Sequence, residues 1–270
     1  MNFDWDGRKA LITGASGGIG AALAEGLASK GVTVGICARR EDRLAEVLER
    51  CRAHAPDSQM WVVDLADLDA VEAFAVDADD GLGGIDMLVN NAGIPKRRKV
   101  ADLSVAEVDA VMALNYLSPV RLVMALLPRL LERARAGGRR GKIVNLSSVA
   151  ARLSPPGEAA YSASKAAVVA FSETLVAELW DEPVDVHLVH PGVIDTELFD
   201  LPDNDPLLAT DMERLPPSAV FEALEAQMES GALEAYVPDW FADIASGKAG
   251  NVEGFIAGAV EYAKQQEGRS

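Results

Sequence analysis

The stretch "KALITGASGGIGAALAEGLASKG", residues 9–31, decides the fold. "KALITG" (9–14) is a short apolar run ending in glycine and reads as a strand. "GIGAALAEGLASKG" (18–31) has helical periodicity and stops at Gly31, a suitable C-terminal cap. Between them lies the turn "TGASGGIG" (13–20). Glycines there let the backbone approach a pyrophosphate closely, and the helix N-terminus supplies N–H groups and a positive dipole end. Many α/β loops are glycine-rich for packing alone, and this spacing is not the GxGxxG form. Its place directly after the first strand gives the turn its weight.

The same alternation continues outward. "VTVGICA" (32–38), "QMWVVDL" (59–65), "DMLVNNAG" (86–93), "GKIVNLSS" (141–148), "VDVHLVHPG" (184–192) and "ALEAYVP" (232–238) read as further strands. Helical patterns fall at about 40–55, 69–79, 104–114, 118–135, 158–180 and 218–231. Strands that are apolar throughout, separated by helices, indicate a parallel sheet covered on both faces. The expected class is therefore α/β, a Rossmann-like doubly wound parallel sheet in a single domain over 1–270. Its core spans about 8–196, with a Pro- and Asp-rich loop or lid at about 195–217 and a C-terminal extension at about 218–270. Ligands of such sheets bind beyond the carboxyl ends of the strands. Polar residues fall there: Thr13-Gly14, Arg39-Arg40, Asp64, Asn90-Asn91, Ser147-Ser148 and Pro191-Gly192.

Composition narrows the function. A net charge of −17 argues against a nucleic-acid partner. The two cysteines, Cys37 and Cys51, have neither metal-ligand spacing nor the number for a disulfide framework, so no metal site is expected and a reducing cytoplasm is. "MNFDWDGRKALITG" lacks a charged segment followed by an apolar one, so no signal peptide is expected. No uninterrupted apolar run approaches about 18 residues, so no membrane span is expected either.

The end of the second strand reports on the cofactor. An acidic residue there would bond an NAD ribose and repel a 2′-phosphate. The sequence is instead "CARRED" (37–42), with Arg39 and Arg40 after Ala38. A guanidinium fork suits a phosphate dianion, so this turn favours NADP(H) over NAD(H). The alternative is a solvated basic turn.

"YSASK" (161–165) sets Tyr161 and Lys165 one turn apart on one helix face. Taken alone the pair has two readings. Tyr161 caps a core edge while Lys165 snorkels to water, or the amine tunes the phenol.

The motifs taken together resemble the short-chain dehydrogenases/reductases, of the single-domain type with a TGxxxGxG turn. The match covers roughly 8–196: "TGASGGIG", "VVDL" with Asp64, "NNAG" (90–93), Asn115 in "ALNYLSP", Ser148, "YSASK" and "HPGVIDT" (190–196). Ser148 precedes Tyr161 by thirteen residues (161 − 148), the family's offset. The resemblance implies that Tyr161 is the acid/base and that Lys165 lowers its pKa and bonds the nicotinamide ribose. Ser148 would orient the substrate oxygen, and Asn115 would hold a water linking Lys165 to solvent. Gly14, Gly18 and Gly20 would sit at the pyrophosphate, Asp64 at the adenine, Asn91 near the ribose, and Ile194 and Thr196 at the carboxamide. Ser16, Ile19, Leu65, Ala92, Gly93, Pro191 and Gly192 complete the cofactor contacts expected on the same ground.

The implied chemistry is physically coherent. Reducing a ketone builds negative charge on oxygen, which requires a positioned proton donor. A phenol of pKa ~10 is a poor base at neutral pH, and nearby positive charge favours phenolate. The expected activity interconverts a ketone and a secondary alcohol. The alternatives are an NAD-linked alcohol dehydrogenase, an epimerase or dehydratase using the same Tyr and Lys, and a non-catalytic dinucleotide-binding redox sensor or scaffold.

Leu198, Phe199, Leu201, Leu207 and Leu208 suggest an apolar lid and a hydrophobic substrate, although packing against the core would look the same. The run Lys96–Lys99 in "IPKRRKV" (94–100) reads as an exposed solvated loop, or alternatively as an attractor of an anionic substrate or a carrier-linked acyl chain. Helices at 118–131 and 163–180 are apolar over more than one stripe, which suggests a homodimer or homotetramer. The sequence gives no physical account of the tail after 231 beyond packing across such an interface.

Overall fold

The computed structural model describes residues 3–137, 139–206 and 212–267. The strands are β1 (Lys9–Thr13), β2 (Thr33–Ala38), β3 (Gln59–Val62), β4 (Met87–Asn90), β5 (Gly141–Leu146), β6 (Val184–Pro191) and β7 (Glu234–Val237). They form one sheet in the order β3-β2-β1-β4-β5-β6-β7, and every pairing is parallel.

The helices are α1 (Gly18–Ser29), α2 (Glu41–Arg52), α3 (Val71–Leu82), α4 (Val105–Met112), α5 (Ser118–Gly137), α6 (Ala150–Leu153), α7 (Ala159–Glu178), α8 (Ser218–Ser230), α9 (Phe241–Gly250) and α10 (Val252–Glu267). Alternate side chains of each strand feed opposite cores. Ile12, Ile36 and Val89 pack with Leu23, Leu27, Leu44 and Leu224 of α1, α2 and α8. Leu11, Leu88 and Ile143 pack with Phe74, Leu122 and Leu126 of α3 and α5. Burial on both faces is why these strands read as unbroken apolar runs.

Three strands stop two or three residues sooner than their sequence runs: β3 at Val62, β4 at Asn90 and β5 at Leu146. The polar residues beyond them leave the sheet. Asn91 and Ala92, for example, donate their N–H groups to Thr13 Oγ1, each at 3.0 Å. The sheet also does not end at residue 196. β7 pairs with β6, and α8 joins the core beside α1.

Two expectations are corrected. The basic run is not a solvated loop, because Lys96 and Arg97 are only 7% and 5% exposed. Two of its cations are already paired with carboxylates. Lys96 pairs with Glu107 at 2.6 Å and Asp203 at 2.7 Å, and Arg98 pairs with the same two carboxylates at 2.6 and 2.9 Å. Lys96 holds the Glu107 carboxyl down at about 2. Ser104 and Glu107 close a capping box at the start of α4, so one carboxylate anchors both the helix and the loop.

The break expected between 114 and 118 is instead a π-helical turn, Ala113–Leu117, that joins α4 to α5. The joined stretch Val105–Gly137 is long and apolar enough to cross a membrane by length and composition. Its Leu122, Leu126 and Leu130 are 1%, 0% and 1% exposed, lying in the core beneath the sheet.

Candidate active site

Strand order reverses between β1 and β4, and a crevice opens at the carboxyl edge of such a switch point. A cleft of about 1240 Å³ runs along that edge. Every site residue expected from sequence lines it, except Asn115.

At one end lies the glycine turn. Gly14 has φ +70°, and a Cβ there would stand 2.8 Å from Ala92 Cα. A Cβ on Gly20 would stand 2.4 Å from Gly14 O. The N–H groups of Gly14 and Ala15 donate to Cys37 O at 2.9 and 3.1 Å, and Asn91 Nδ2 donates to Thr13 O at 2.8 Å. The ends of β1, β2 and β4 are thereby locked around the turn. α1 opens at Gly18 with no side-chain cap and no acidic residue in its first turn, so its leading N–H groups suit an anion. A backbone cradle closed to any Cβ, backed by a helix N-terminus, fits the pyrophosphate of a nicotinamide dinucleotide.

Beside it, Arg40 donates from Nε and Nη2 to Ser16 Oγ at 3.2 and 3.1 Å, and from Nη1 to Glu197 at 2.8 Å. Arg39 lies 3.9 Å from Asp64. Asp64 accepts from the Ala66 N–H at 3.0 Å, while Leu65 is buried beside it.

At the other end, α7 presents Tyr161 and Lys165 on one face. Lys165 Nζ sits 6.0 Å from the Tyr161 ring centroid and donates to Leu146 O at 2.8 Å. Burial brings its ammonium down to about 8. The phenol is pushed up to about 12 by burial, which outweighs a hydrogen bond with Ser148 that pulls it down. Glu158, one turn earlier, raises it further.

Ser148 Oγ accepts from the Ala150 N–H at 3.1 Å and lies 3.4 Å from Pro191 O. Asn115 stands behind the cleft wall. Its Oδ1 accepts from the Ile94 N–H at 2.8 Å, and its Nδ2 donates to Ile94 O and to Ser164 Oγ, each at 3.0 Å. Its side chain clamps the loop after β4.

After β6, Thr196 leans on Gly18, where a Cβ would meet its Cγ2 at 3.0 Å. The bridge between Ile194 and Leu215 uses the peptide groups flanking Ile194, Val193 O and Asp195 N. The N–H and C=O of Ile194 itself thus face the other way.

A family model for short chain dehydrogenases matches residues 8–205. The chain belongs to the short-chain dehydrogenase/reductase family. Nodulation protein G of Rhizobium sp. (strain N33) is 37% identical over 199 residues, 73% of this chain and 78% of that one. A short-chain dehydrogenase/reductase from Burkholderia phymatum, solved in complex with NAD, is 26% identical with a TM-score of 0.81, covering 93% of this chain and 96% of that one. One from Sphingobium yanoikuyae, solved in complex with NADPH, is 28% identical with a TM-score of 0.78, covering 93% and 95%.

The chain also places in the cleft residues that were not among the expected catalytic and cofactor contacts. Glu158 and Arg97 line the cleft near Tyr161, and burial pushes the Glu158 carboxyl up to about 7 against the pull of Arg97. The spacing of Glu158, at the N-cap of α7, from Tyr161 in its first turn was the one available signal. The tail turns back over its own cleft. Phe241 and Ile244 of α9 and Phe255 and Tyr262 of α10 line it with Leu198 and Leu201. Phe241 sits against Gly192, where a Cβ would come within 2.4 Å of the ring. Leu207, Leu208 and the side chain of Phe199 lie outside the described residues.

Beneath Ser148, His190 Nδ1 lies 3.4 Å from Ser148 O and its Nε2 3.5 Å from Glu234. His190 and Arg152 hold the Glu234 carboxyl down at about 2. Both cysteines are buried, and burial raises both thiols to about 12, leaving them inert. Among the described residues no group of three His, Cys, Asp or Glu side chains is placed to hold a metal.

Proposed function

We propose that this dehydrogenase interconverts a hydrophobic ketone and its secondary alcohol with NADP(H), Tyr161 serving as acid/base. The observation that carries the reading is the joint placement of Ser148, Tyr161 and Lys165 in the cleft whose other end is the glycine turn and Arg40. The turn and the α1 N-terminus would hold the pyrophosphate, and Asn91 and Lys165 the nicotinamide-side ribose. When bound, the nicotinamide supplies or accepts the hydride.

The chain's own groups handle the proton. Ser148 acts on the Tyr161 phenol closely enough to pull its pKa down and so marks where a substrate oxygen would meet it. A phenol this far up is protonated at neutral pH, the state needed to donate to a ketone oxygen as charge develops there. Working in the alcohol-oxidising direction requires added positive charge near the phenol. Lys165, whose ammonium is buried beside it, relays the proton onward. The apolar walls from α9 and α10 exclude water and favour a hydrophobic substrate.

NADP(H) preference is read from Arg39 and Arg40 at the end of β2, with no carboxylate on that strand end. Titration with NADPH and NADH of wild type and of Arg39→Ala/Arg40→Ala tests it. Tighter NADPH binding that is lost in the variant is expected; equal affinity in wild type would refute it. We also propose a homodimer or homotetramer through α5 and α7, whose flanks expose Met124 and Trp180 at 68% and 77%. A monomer by light scattering at micromolar concentration would contradict this.

A further inference from the structure

Glu197 follows the cofactor-binding segment after β6 and opens a 3₁₀ turn, Glu197–Asp200. Its carboxylate does not face solvent alone. One oxygen accepts from Arg40 Nη1 at 2.8 Å, and the other pairs with Arg43 at the start of α2. Arg40 is itself aimed by Ser16, which accepts from its Nε and Nη2. Arg40 and Arg43 together hold the Glu197 carboxyl below the usual carboxylate range. Ser16, Arg40 and Glu197 all line the cleft. Thr196, one residue earlier, leans on Gly18, so this segment arches over the glycine turn and delivers the carboxylate to the arginines from the far side of the cleft.

A carboxylate and a phosphate make the same demand on a guanidinium, two parallel N–H donors in one plane. Resting on the proposed NADP(H) reading, we infer that Glu197 is a selectivity-determining residue: it occupies the Arg40–Arg43 fork that a ribose 2′-phosphate takes, and so weakens NADP(H) while leaving NAD(H) unaffected. The phosphate must displace the carboxylate and then bind beside it. The unphosphorylated dinucleotide has no such competitor. Glu197 thus narrows the preference that Arg39 and Arg40 create.

The effect is modest, because each pair is solvent-exposed and exposed ion pairs are individually weak. Glu197→Gln is expected to tighten NADPH about three- to tenfold, the sum of two such pairs plus the removed like charge. NADH affinity should stay within about twofold. Calorimetric titration of the full chain with NADPH, NADH and adenosine 2′,5′-bisphosphate, on wild type, Glu197→Gln, Arg40→Ala/Arg43→Ala and the triple variant, reads this without turnover.

The gain should appear with NADPH and the bisphosphate and vanish when both arginines are gone. No gain in Glu197→Gln, an equal gain for NADH, or a gain that persists without the arginines would overturn the inference; the last would mean plain charge repulsion. The NADP(H) reading is judged separately, by wild type against Arg39→Ala/Arg40→Ala. If wild type prefers NADPH and loses that preference there, while Glu197→Gln changes nothing, only the role of Glu197 fails. If wild type shows no preference at all, both fail.

Discussion

Lys165→Met separates stability from activity, and its magnitude can be worked from the structure. The ammonium is 4% exposed, and burial lowers it from 10.5 to about 8. At pH 7, where it is protonated both folded and unfolded, this displacement costs the folded chain about 3 kcal/mol. Methionine fills nearly the same unbranched volume without charge. Against that gain stands the lost hydrogen bond to Leu146 O, which leaves a buried carbonyl unpaired at a cost of about 1–2 kcal/mol. The variant is therefore expected to be about 1–2 kcal/mol more stable at pH 7 while losing turnover.

The pH dependence fixes the cause. A lowered folded pKa means that the wild type releases its proton earlier than the unfolded chain. Wild type thus regains ground between about pH 8 and 10.5, and its deficit relative to Lys165→Met shrinks across that window. Urea denaturation of both proteins at pH 7 and through the alkaline range measures it. A variant less stable at pH 7, or a difference that does not change with pH, would refute the assignment of a destabilising buried ammonium.

Two further outcomes test the site. Burial raises the Glu158 carboxyl from 4.5 to about 7, so its contribution is fully present below pH 4.5 and lost as pH rises through about 7. Glu158→Gln should flatten that decline in melting temperature, and an unchanged slope would show that Glu158 is not the titrating group. Gly20→Ala forces a Cβ to 2.4 Å from Gly14 O; it should abolish dinucleotide binding in a titration and cost about 1–3 kcal/mol of stability.

The architecture was legible because the strands are buried on both faces and the turn glycines stand where the chain must approach itself. Gly14 and Gly20 have no room for a Cβ, a constraint that sequence registers directly. Helical spacing put Tyr161 and Lys165 on one face, but their roles were legible only from the whole set of motifs in order. Less visible were relations between distant segments. Lys96 reads as a surface cation until Asp203 and Glu107 are brought against it. Glu197 reads as an ordinary acid until Arg40 and Arg43 reach it across the cleft. The wall made by Phe241, Phe255 and Tyr262 depends on the path of the tail over the cleft, which no local pattern encodes. The phenol's high pKa is likewise a burial effect, which composition along a helix does not report.

The most direct measurement follows oxidation of NADPH by absorbance across a panel of hydrophobic ketones, for wild type and Tyr161→Phe, with NADPH affinity measured alongside. The account predicts turnover by wild type and a loss of about 10²–10⁴-fold in the variant with NADPH still bound. Wild type that binds NADPH and turns over no ketone, or a Tyr161→Phe variant as active as wild type, would contradict it.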